Sequence, residues 1–437
     1  MSAGTRRNGS RSSAGRYCPN SPHEATDVNE TWFDVPAGSE FGVANLPFGV
    51  YSRTEDGPRK IGVAIGDSVL DVAAIAAVEG EEFAPLLDAG VLNPLLAAGR
   101  PVWQQVRRRI TTWLTDPAHR PMVLAHRLDR AGLHLHLPFD VADYVDFYAS
   151  EHHARNVGSI FRPDSAPLHP NWIHLPIGYH GRAGTVVASG SPVTRPRGQR
   201  KQTGEDAPTF GPTRKLDIEA EVGFVVGSPS ALGEPVPIER FADHVFGVCL
   251  VNDWSARDIQ AWETVPLGPF LGKSFATSVS PWVVPLDALG HARVPSPPQD
   301  PAPQPYLAPG EDWGLDLTLE VRLNGHVISR PPFASMYWSA AQQLAHLTVN
   351  GASLRTGDLY ASGTVSGAEP DERGSLLELT WDGTDPLLLG DGTHRTYLND
   401  GDVVTIAASA PGSDGVRIGL GEVTGRVLPS KYQEERK

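Results

Sequence analysis

The chain has 437 residues, of which 40% are hydrophobic and 20% charged, and its formal net charge is −14 at pH 7. This length favours two globular domains over one, and the acidic excess argues against a nucleic-acid-binding protein, which needs a basic surface. No apolar run approaches the ~18–20 residues that cross a membrane, so we expect no membrane partner. The two cysteines, Cys18 and Cys249, lack CxxC spacing. This argues against a disulfide framework or a structural zinc site and fits a cytoplasmic location.

We predict a disordered tail for residues 1–30, which are polar and lack the apolar segment of a secretory signal. The alternative is an organelle transit peptide, because residues 1–17 are rich in arginine and serine and contain no acidic residue. The composition becomes that of a globular domain from Thr31 onwards.

Residues 31–138 are predicted to form a β-rich N-terminal domain with some helix. The segment Ile61–Val72, IGVAIGDSVLDV, indicates two short strands around a Gly-Asp turn, which is a hairpin signal. Farther along, a helix is predicted by the spacing of the apolar residues Leu96, Val102, Val106, Ile110 and Trp113.

Residues 139–437 are predicted to form a second domain that consists mostly of strands. Its β-rich stretches are TRKLDIEAEVGFVVG, VFGVCLVND, LTLEVRLNGHVI, DVVTIAAS and VRIGLGEVTGRV. Two segments depart from this pattern. The proline-rich Val294–Gly310 predicts a loop, and Met336–Gly351 predicts a helix closed by an Asn-Gly pair.

The stretch LDIEAEVGF concentrates acidic residues. As a single strand over Leu216–Phe224, it places Asp217, Glu219 and Glu221 on one face, where the carboxylates repel one another. Two interpretations remain open. The face is either solvated, or it binds a hard cation such as Ca²⁺ or Mg²⁺, which prefer oxygen ligands.

The segment VNDWSARDIQAWE offers further polar groups at a strand end. Asp253 ends a strand and is placed to be either a metal ligand or a helix cap, and Ser255 is predicted to cap the next helix. On that helix Arg257 and Gln260 share a face. Their donors suit an oxyanion or a substrate carboxylate, although an ordinary surface helix would show the same spacing.

Two other charged residues lie in apolar surroundings. Lys273, in PLGPFLGKSFATSVSP, is predicted to be partly buried beside an anionic partner, unless its ammonium reaches solvent. Glu378 lies in a predicted strand, Ser375–Trp381, either at a wet face or as the orienting partner of a histidine. Between them, ASGTVSG is a loop of small residues whose backbone amides could approach a ligand.

Two adjacent histidines occur in DFYASEHHARNVG. We predict that DFY ends an extended segment, that Ser150 caps a short helix and that Gly158 ends it. On that helix His152 and His153 would point about 100° apart, so only one of them can face an acidic site. The spacing does not choose between them.

These motifs, together with PNWIHLPIGYHGRA, resemble the fumarylacetoacetase family in the same order, over about residues 32–429. The resemblance implies a mainly β fold with some α: an SH3-like barrel over residues 31–138 and a metal-dependent β-roll catalytic domain over residues 139–437. It also implies a homodimer. The implied activity is hydrolysis of a C–C bond in 4-fumarylacetoacetate, a diketo acid, to fumarate and acetoacetate, the last step of tyrosine and phenylalanine degradation.

The resemblance also implies roles for individual residues. The calcium ligands would be Asp146, Glu219, Glu221 and Asp253. A magnesium site would involve Asp253, Lys273 and Thr277, the last two through nearby backbone. His153 would be the general base, oriented by Glu378, and His152 a bystander. The oxyanion would be bound by Arg257, Gln260 and Lys273. The substrate would be bound by Tyr148, Arg162, Tyr179, Gln260 and Thr364.

One position departs from the family pattern: Thr264 stands where the family has a substrate-contacting tyrosine, so the pocket there would be looser. Two other functions stay open. One is a hydratase, isomerase or decarboxylase of a related oxo-dioate within the same superfamily. The other is a non-catalytic, calcium-stabilised β module, which needs the carboxylates but not His153, Lys273 or Arg257.

Overall fold

The computed structural model describes Met1 and residues 31–201, 204–308 and 310–431, so the predicted tail lies outside the described residues except for Met1. The helices described, α1 to α10 in chain order, are Val72–Glu79, Ala84–Leu87, Asn93–Ala97, Arg100–Thr115, Arg120–Ala125, Glu151–Phe161, Phe241–His244, Arg257–Glu263, Ala340–Thr348 and Leu376–Leu379. Within these ranges, no helix has the length and apolar character of a membrane span.

Strands outnumber helices, which confirms the mainly β fold with some α. The strands described, β1 to β26 in chain order, are Phe48–Ser52, Lys60–Ile65, Ser68–Leu70, Arg127–Asp129, His134–His136, Tyr144–Phe147, Gly178–His180, Val186–Ala188, Val193–Thr194, Arg197–Arg200, Thr209–Pro212, Leu216–Asp217, Ala220–Val226, Val245–Asp253, Ser255–Ala256, Thr277–Val279, Trp282–Pro285, Arg293–Val294, Gly314–Leu315, Thr318–Leu323, His326–Ser329, Leu359–Ala361, Leu387–Leu388, His394–Arg395, Val403–Pro411 and Arg417–Leu428.

One 13-stranded sheet runs through both halves of the chain, with the central order β4-β3-β2-β1-β17-β14-β13-β22-β6-β7. The N-terminal strands join the rest where β1 pairs antiparallel with β17. A second sheet has the order β21-β20-β25-β26-β9. Because the large sheet is continuous, the domain boundary near residue 138 stays a prediction.

The centre of the large sheet is buried on both faces, as strands β13 and β14 show along their whole length. Val222 and Phe224 contribute to a core shared with the second sheet. Val225 and Val251 face a separate core that contains the N-terminal helices. Since side chains alternate along a strand, Glu221 and Asp253 project from the same sheet face as this N-terminal core.

The acidic stretch is not one strand, contrary to the prediction. It divides into β12 and β13 with Ile218 and Glu219 between them. Asp217 pairs with β15 rather than with the large sheet. The prediction that Asp217, Glu219 and Glu221 share one face of a single strand is therefore wrong. The break between the strands gives Asp217 different neighbours from those of Glu219 and Glu221.

Three further predictions of local structure are wrong. Glu378 lies in the short helix α10 rather than in a strand, because Ser375 caps the turn by accepting from the Glu378 amide. Gly158 does not end helix α6, which continues to Phe161. Ser255 lies in strand β15, and the N-cap of α8 is Ala256.

Other predictions agree more closely. The hairpin of β2 and β3 is confirmed, with Gly66 at a φ of 55° in its turn. Ser150 caps α6 as predicted, since its hydroxyl accepts from the His153 amide. The helix predicted over Met336–Gly351 is present but shorter, because Ser339 and Gln342 form a capping box that starts it at Ala340.

Gly158 should be replaceable by alanine only at a considerable loss of stability. A Cβ at this position would overlap the backbone carbonyl of Pro167, and backbone cannot move aside as a side chain can. We expect Gly158→Ala to lower the free energy of unfolding by about 1–3 kcal/mol in urea titrations. Gly132→Ala is the control, because its Cβ would meet nothing within 4 Å. Equal stability of the two variants would contradict the prediction.

Candidate active site

Four buried carboxylates meet at the ends of neighbouring strands: Asp146, Glu219, Glu221 and Asp253. Each offers one oxygen, and these oxygens all lie within 4.8 Å of one another. The sheet order explains the meeting, since β14, β13, β22 and β6 are successive neighbours. In the part of the chain that the structure describes, no other group of candidate metal ligands was found. The interpretation as a solvated acidic face is therefore wrong.

The cluster fits a divalent cation. Asp146 Oδ1 and both carboxylate oxygens of Glu221 are buried without a hydrogen-bond partner. Burial, together with the neighbouring carboxylates, raises the pKa of Asp146 and of Glu221. A cation among these oxygens would remove both the repulsion and the unsatisfied acceptors. The all-oxygen donor set suits Ca²⁺ and Mg²⁺ alike and does not choose between them.

Lys273 lies against this cluster with 4% of its surface exposed. Its Nζ donates to Asp253 Oδ2 at 3.0 Å and also to Glu219. Burial lowers the pKa of Lys273, but Asp253 and Glu219 outweigh it, so the pKa lies above the ordinary lysine value. The predicted anionic partner is thus confirmed, and the alternative of an ammonium reaching solvent is wrong.

Two residues predicted for the magnesium site contact Asp253 instead of offering a free ligand atom. Lys273 Nζ has no lone pair when protonated, so its side chain cannot coordinate a metal. The Thr277 hydroxyl donates to Asp253 Oδ1 at 2.7 Å. Both side chains therefore orient a carboxylate of the cluster, and a direct role in metal binding would require their backbone.

His153 is buried at the start of α6, and its ring is held from one side. Its Nδ1 lies 2.7 Å from Glu378 Oε2, and its Nε2 lies 4.0 Å from Glu219 Oε1. His152 is partly exposed. With Nδ1–H donating to Glu378, Nε2 is the free acceptor and faces the carboxylate cluster. The tertiary structure thus makes the choice between the two histidines that spacing left open.

Glu378 is itself fixed by several donors. Asn156 donates to its Oε1 at 2.9 Å, and the hydroxyls of Ser366 and Ser375 donate to its Oε2 at 3.0 and 2.8 Å. Burial raises the pKa of Glu378, but His153 and these donors outweigh it and hold the pKa below the ordinary value. Sequence reasoning missed Asn156, Ser366 and Ser375, whose small polar side chains gave no distinctive signal.

Arg257 is buried and reaches the same cluster, so the surface-helix interpretation is wrong for it. Its Nε donates to Asp217 Oδ2 at 2.8 Å and its Nη1 to Gln260 Oε1 at 3.2 Å. Its Nη2 lies 2.8 Å from Glu219 Oε1 but makes no hydrogen bond of good geometry. One donor of the guanidinium is therefore available beside the carboxylate cluster.

The predicted substrate-binding residues are brought together to different degrees. The Tyr179 hydroxyl donates to Asp253 Oδ2 at 3.1 Å, and the Tyr148 ring packs edge-on against His153 with centroids 5.2 Å apart. Thr364 is buried with an unpartnered hydroxyl. Arg162, at the end of α6, donates to the Pro167 carbonyl at 2.8 Å and is partly exposed.

Thr264 differs from these residues. Its hydroxyl donates to the Gln260 carbonyl at 2.6 Å, one helical turn back along α8. A nearby cavity of about 270 Å³ borders Tyr179 and Lys273 and is also lined by His180 and Arg182. The cavity thus borders two residues that contact the carboxylate cluster, because Tyr179 and Lys273 both donate to Asp253.

Two protein-family models match most of this chain. Residues 143–428 match the model of the fumarylacetoacetate (FAA) hydrolase C-terminal region, and residues 44–138 match that of the fumarylacetoacetase N-terminal region. The chain belongs to the fumarylacetoacetase family. It is therefore a member of a hydrolase family, and the alternative of a non-catalytic β module is set aside.

Relatives within the fumarylacetoacetase family cover nearly the whole chain. The fumarylacetoacetase of Homo sapiens is 46% identical over 92% of this chain and 99% of its own length, and that of Arabidopsis thaliana shows the same values. A solved fumarylacetoacetate hydrolase from psychrophilic Exiguobacterium antarcticum is 19% identical, with a TM-score of 0.52 over 88% of this chain and 99% of its own. At that identity the similarity shows the fold alone.

A divalent cation should stabilise this protein by binding the carboxylate cluster. We expect Ca²⁺ or Mg²⁺, added after treatment with a chelator, to raise the melting temperature in proportion to the logarithm of the ion concentration, because the ion binds only the folded site. Glu221→Gln should largely abolish the shift, whereas Glu422→Gln, on an exposed strand face, should retain it. A melting temperature that does not respond to either ion would contradict the prediction.

Proposed function

We propose that this protein hydrolyses the C–C bond of 4-fumarylacetoacetate to fumarate and acetoacetate, the last step of tyrosine and phenylalanine degradation. The observation that carries the proposal is the position of His153, with Nδ1 on Glu378 and Nε2 facing the carboxylate cluster. The relatives at 46% identity are fumarylacetoacetases, which supports the same substrate. A purely structural metal site would not need a histidine held in this way.

His153 acts as the general base in this mechanism. Nε2 accepts a proton from a water molecule, and the resulting hydroxide attacks the carbonyl carbon next to the bond to be broken. The Glu378 carboxylate stabilises the imidazolium that forms, because it already accepts from Nδ1. No covalent nucleophile is required, and the sequence contains no GxSxG motif.

Three donors stabilise the tetrahedral oxyanion. Arg257 Nη2 has an unused hydrogen, Lys273 is a buried cation, and Gln260 lies beside Arg257. Each such donor, fixed before the reaction in a site without bulk water, typically contributes a few kcal/mol to the transition state. The positive charges of Lys273 and Arg257 also compensate the carboxylates in the resting enzyme.

Collapse of the tetrahedral intermediate breaks the C–C bond and leaves its electron pair on the acetoacetate carbon. The imidazolium of His153 returns its proton to that carbon, so that water has been added across the bond. A divalent ion held by Asp146, Glu219, Glu221 and Asp253 would supply Lewis-acid stabilisation of the diketone oxygens. We propose Ca²⁺ at these ligands, and Mg²⁺ near Asp253, Lys273 and Thr277.

We propose that Tyr148, Arg162, Tyr179, Gln260 and Thr364 bind the diketo acid. The unpartnered hydroxyl of Thr364 and the partly exposed guanidinium of Arg162 support this proposal. Thr264 cannot replace the aromatic contact of a tyrosine, so the pocket is looser on that side.

The main alternative function is that of a hydratase, isomerase or decarboxylase of a related oxo-dioate. Such an enzyme would use the same carboxylate cluster, and analysis of the reaction products distinguishes it from the hydrolase.

Replacing His153 by alanine should abolish hydrolysis while leaving the fold and metal binding in place. We expect kcat to fall by at least about 10²–10⁴-fold, because the base is lost. Activity is measured by the loss of substrate absorbance and by the formation of acetoacetate. His152→Ala, next to it on the partly exposed side of the helix, should keep most of the activity. Turnover of the substrate without acetoacetate would indicate the lyase or isomerase alternative.

We also propose a homodimer and a cytoplasmic location. Five apolar side chains are exposed close together in sequence: Trp262, Val265, Leu267, Phe270 and Leu271. Apolar residues exposed in such a group commonly mark an interface. The thiol of Cys249 is free and buried, which suits a reducing compartment.

Leu267→Asp should weaken the dimer, since it places a charge among these apolar side chains, where Leu267 is 97% exposed. Sedimentation velocity should show a larger monomer fraction at micromolar concentration. Leu232→Asp is the control, because Leu232 is 83% exposed outside this segment. A wild-type monomer would refute the dimer, and an unchanged dimer in Leu267→Asp would exclude this surface.

A further inference from the structure

Asp217 is the one acidic residue of LDIEAEVGF that the proposed chemistry does not use. It is fully buried, and its carboxylate accepts four hydrogen bonds. Oδ1 accepts from the backbone amides of Ile218 and Leu376, both at 2.7 Å, and Oδ2 accepts from Arg257 Nε at 2.8 Å and the Leu377 amide at 3.0 Å. It is absent from the carboxylate cluster.

These bonds join two parts of the site that are far apart in sequence. Leu376 and Leu377 begin helix α10, whose next residue is Glu378, the partner of His153. Arg257 begins helix α8. The Asp217 carboxylate is thus bonded both to the helix that orients the base and to the guanidinium that faces the cluster.

The bonds also fix which part of Arg257 reaches the reacting groups. Asp217 holds Nε, and Gln260 holds Nη1. Because the guanidinium is planar and rigid, two fixed corners determine the third. Nη2, the corner without a hydrogen bond, is thereby directed towards the carboxylate cluster beside Glu219.

We propose that Asp217 is a positioning residue that fixes Arg257 relative to the His153–Glu378 pair, and so sets the geometry between the base and the oxyanion donor. This inference rests on the proposed hydrolase function. Asp217 itself touches neither substrate nor metal and acts through Arg257. An asparagine at this position could not position Arg257 in the same way. Its amide N–H groups would point towards at least one of the donors from which the carboxylate now accepts a hydrogen bond.

Asp217→Asn tests the proposal by steady-state hydrolysis of 4-fumarylacetoacetate. We expect kcat to fall about 100-fold, the loss that a small misplacement of a catalytic group can cause, with KM changed less than about threefold. Asp402→Asn is the matched control. Asp402 is also buried and paired with an arginine, Arg395, but its partners lie outside the site. We expect this variant to keep the wild-type kcat, whatever its loss of stability.

A double-mutant cycle separates positioning from a general structural effect. In the Arg257→Met background, Asp217→Asn should lower kcat by less than about threefold further, because the group that it positions is gone. Losses that multiply would overturn the proposal, as would a folded Asp217→Asn enzyme with wild-type kcat. A wild-type protein that forms no acetoacetate would refute the proposed function instead.

Should Asp217→Asn not fold, Asp217→Glu provides the same test. It keeps the charge but lengthens the side chain by one methylene, so Arg257 and α10 can no longer both keep their places. We expect kcat to fall while the ion-dependent rise in melting temperature persists. Wild-type kcat in folded Asp217→Glu would overturn the proposal.

Discussion

The balance of buried charge at the centre of the large sheet is the constraint on which the rest of this site depends. Four buried carboxylates each place one oxygen within 4.8 Å of the others, and the buried cations Lys273 and Arg257 form ion pairs with them. Two positive charges cannot neutralise four negative ones, so a divalent ion bound among these carboxylates would balance the remaining charge. Burying unpaired charge is costly, and the surrounding fold must therefore be stable enough to hold these groups in place.

The fold meets this constraint by having a separate hydrophobic core on each side of the sheet. Strands β13 and β14 pack against both cores, so the ends that carry Glu221 and Asp253 are rigid. The N-terminal segment contributes to this rigidity, since its helices cover the same sheet face from which the carboxylates project. The N-terminal segment thus has a structural role, although none of its described residues is among the site residues named above.

Much of the site could be predicted from the sequence, and the errors have specific physical causes. The buried Lys273 and the capped helix of His153 followed from local composition and capping rules. The strand over Leu216–Phe224 was wrong because alternation cannot reveal a break between two strands that pair with different partners. The strand around Glu378 was wrong because Ser375 caps a helical turn, and in a short apolar run a helix and a strand have the same hydrophobic signal.

The sequence by itself determined the types of group available, the mainly β composition, the oxygen-rich donor set and the resemblance to a hydrolase family. Only the tertiary structure decided which groups meet. His153 and Glu378 are 225 residues apart, and Asp217 and Leu376 are 159 apart. Sequence spacing carries information over a few turns of a helix or along one strand, whereas contacts over such separations depend on how strands pair in the sheet. The choice of His153 over His152, and the separation of Asp217 from its neighbouring glutamates, were decided at that level.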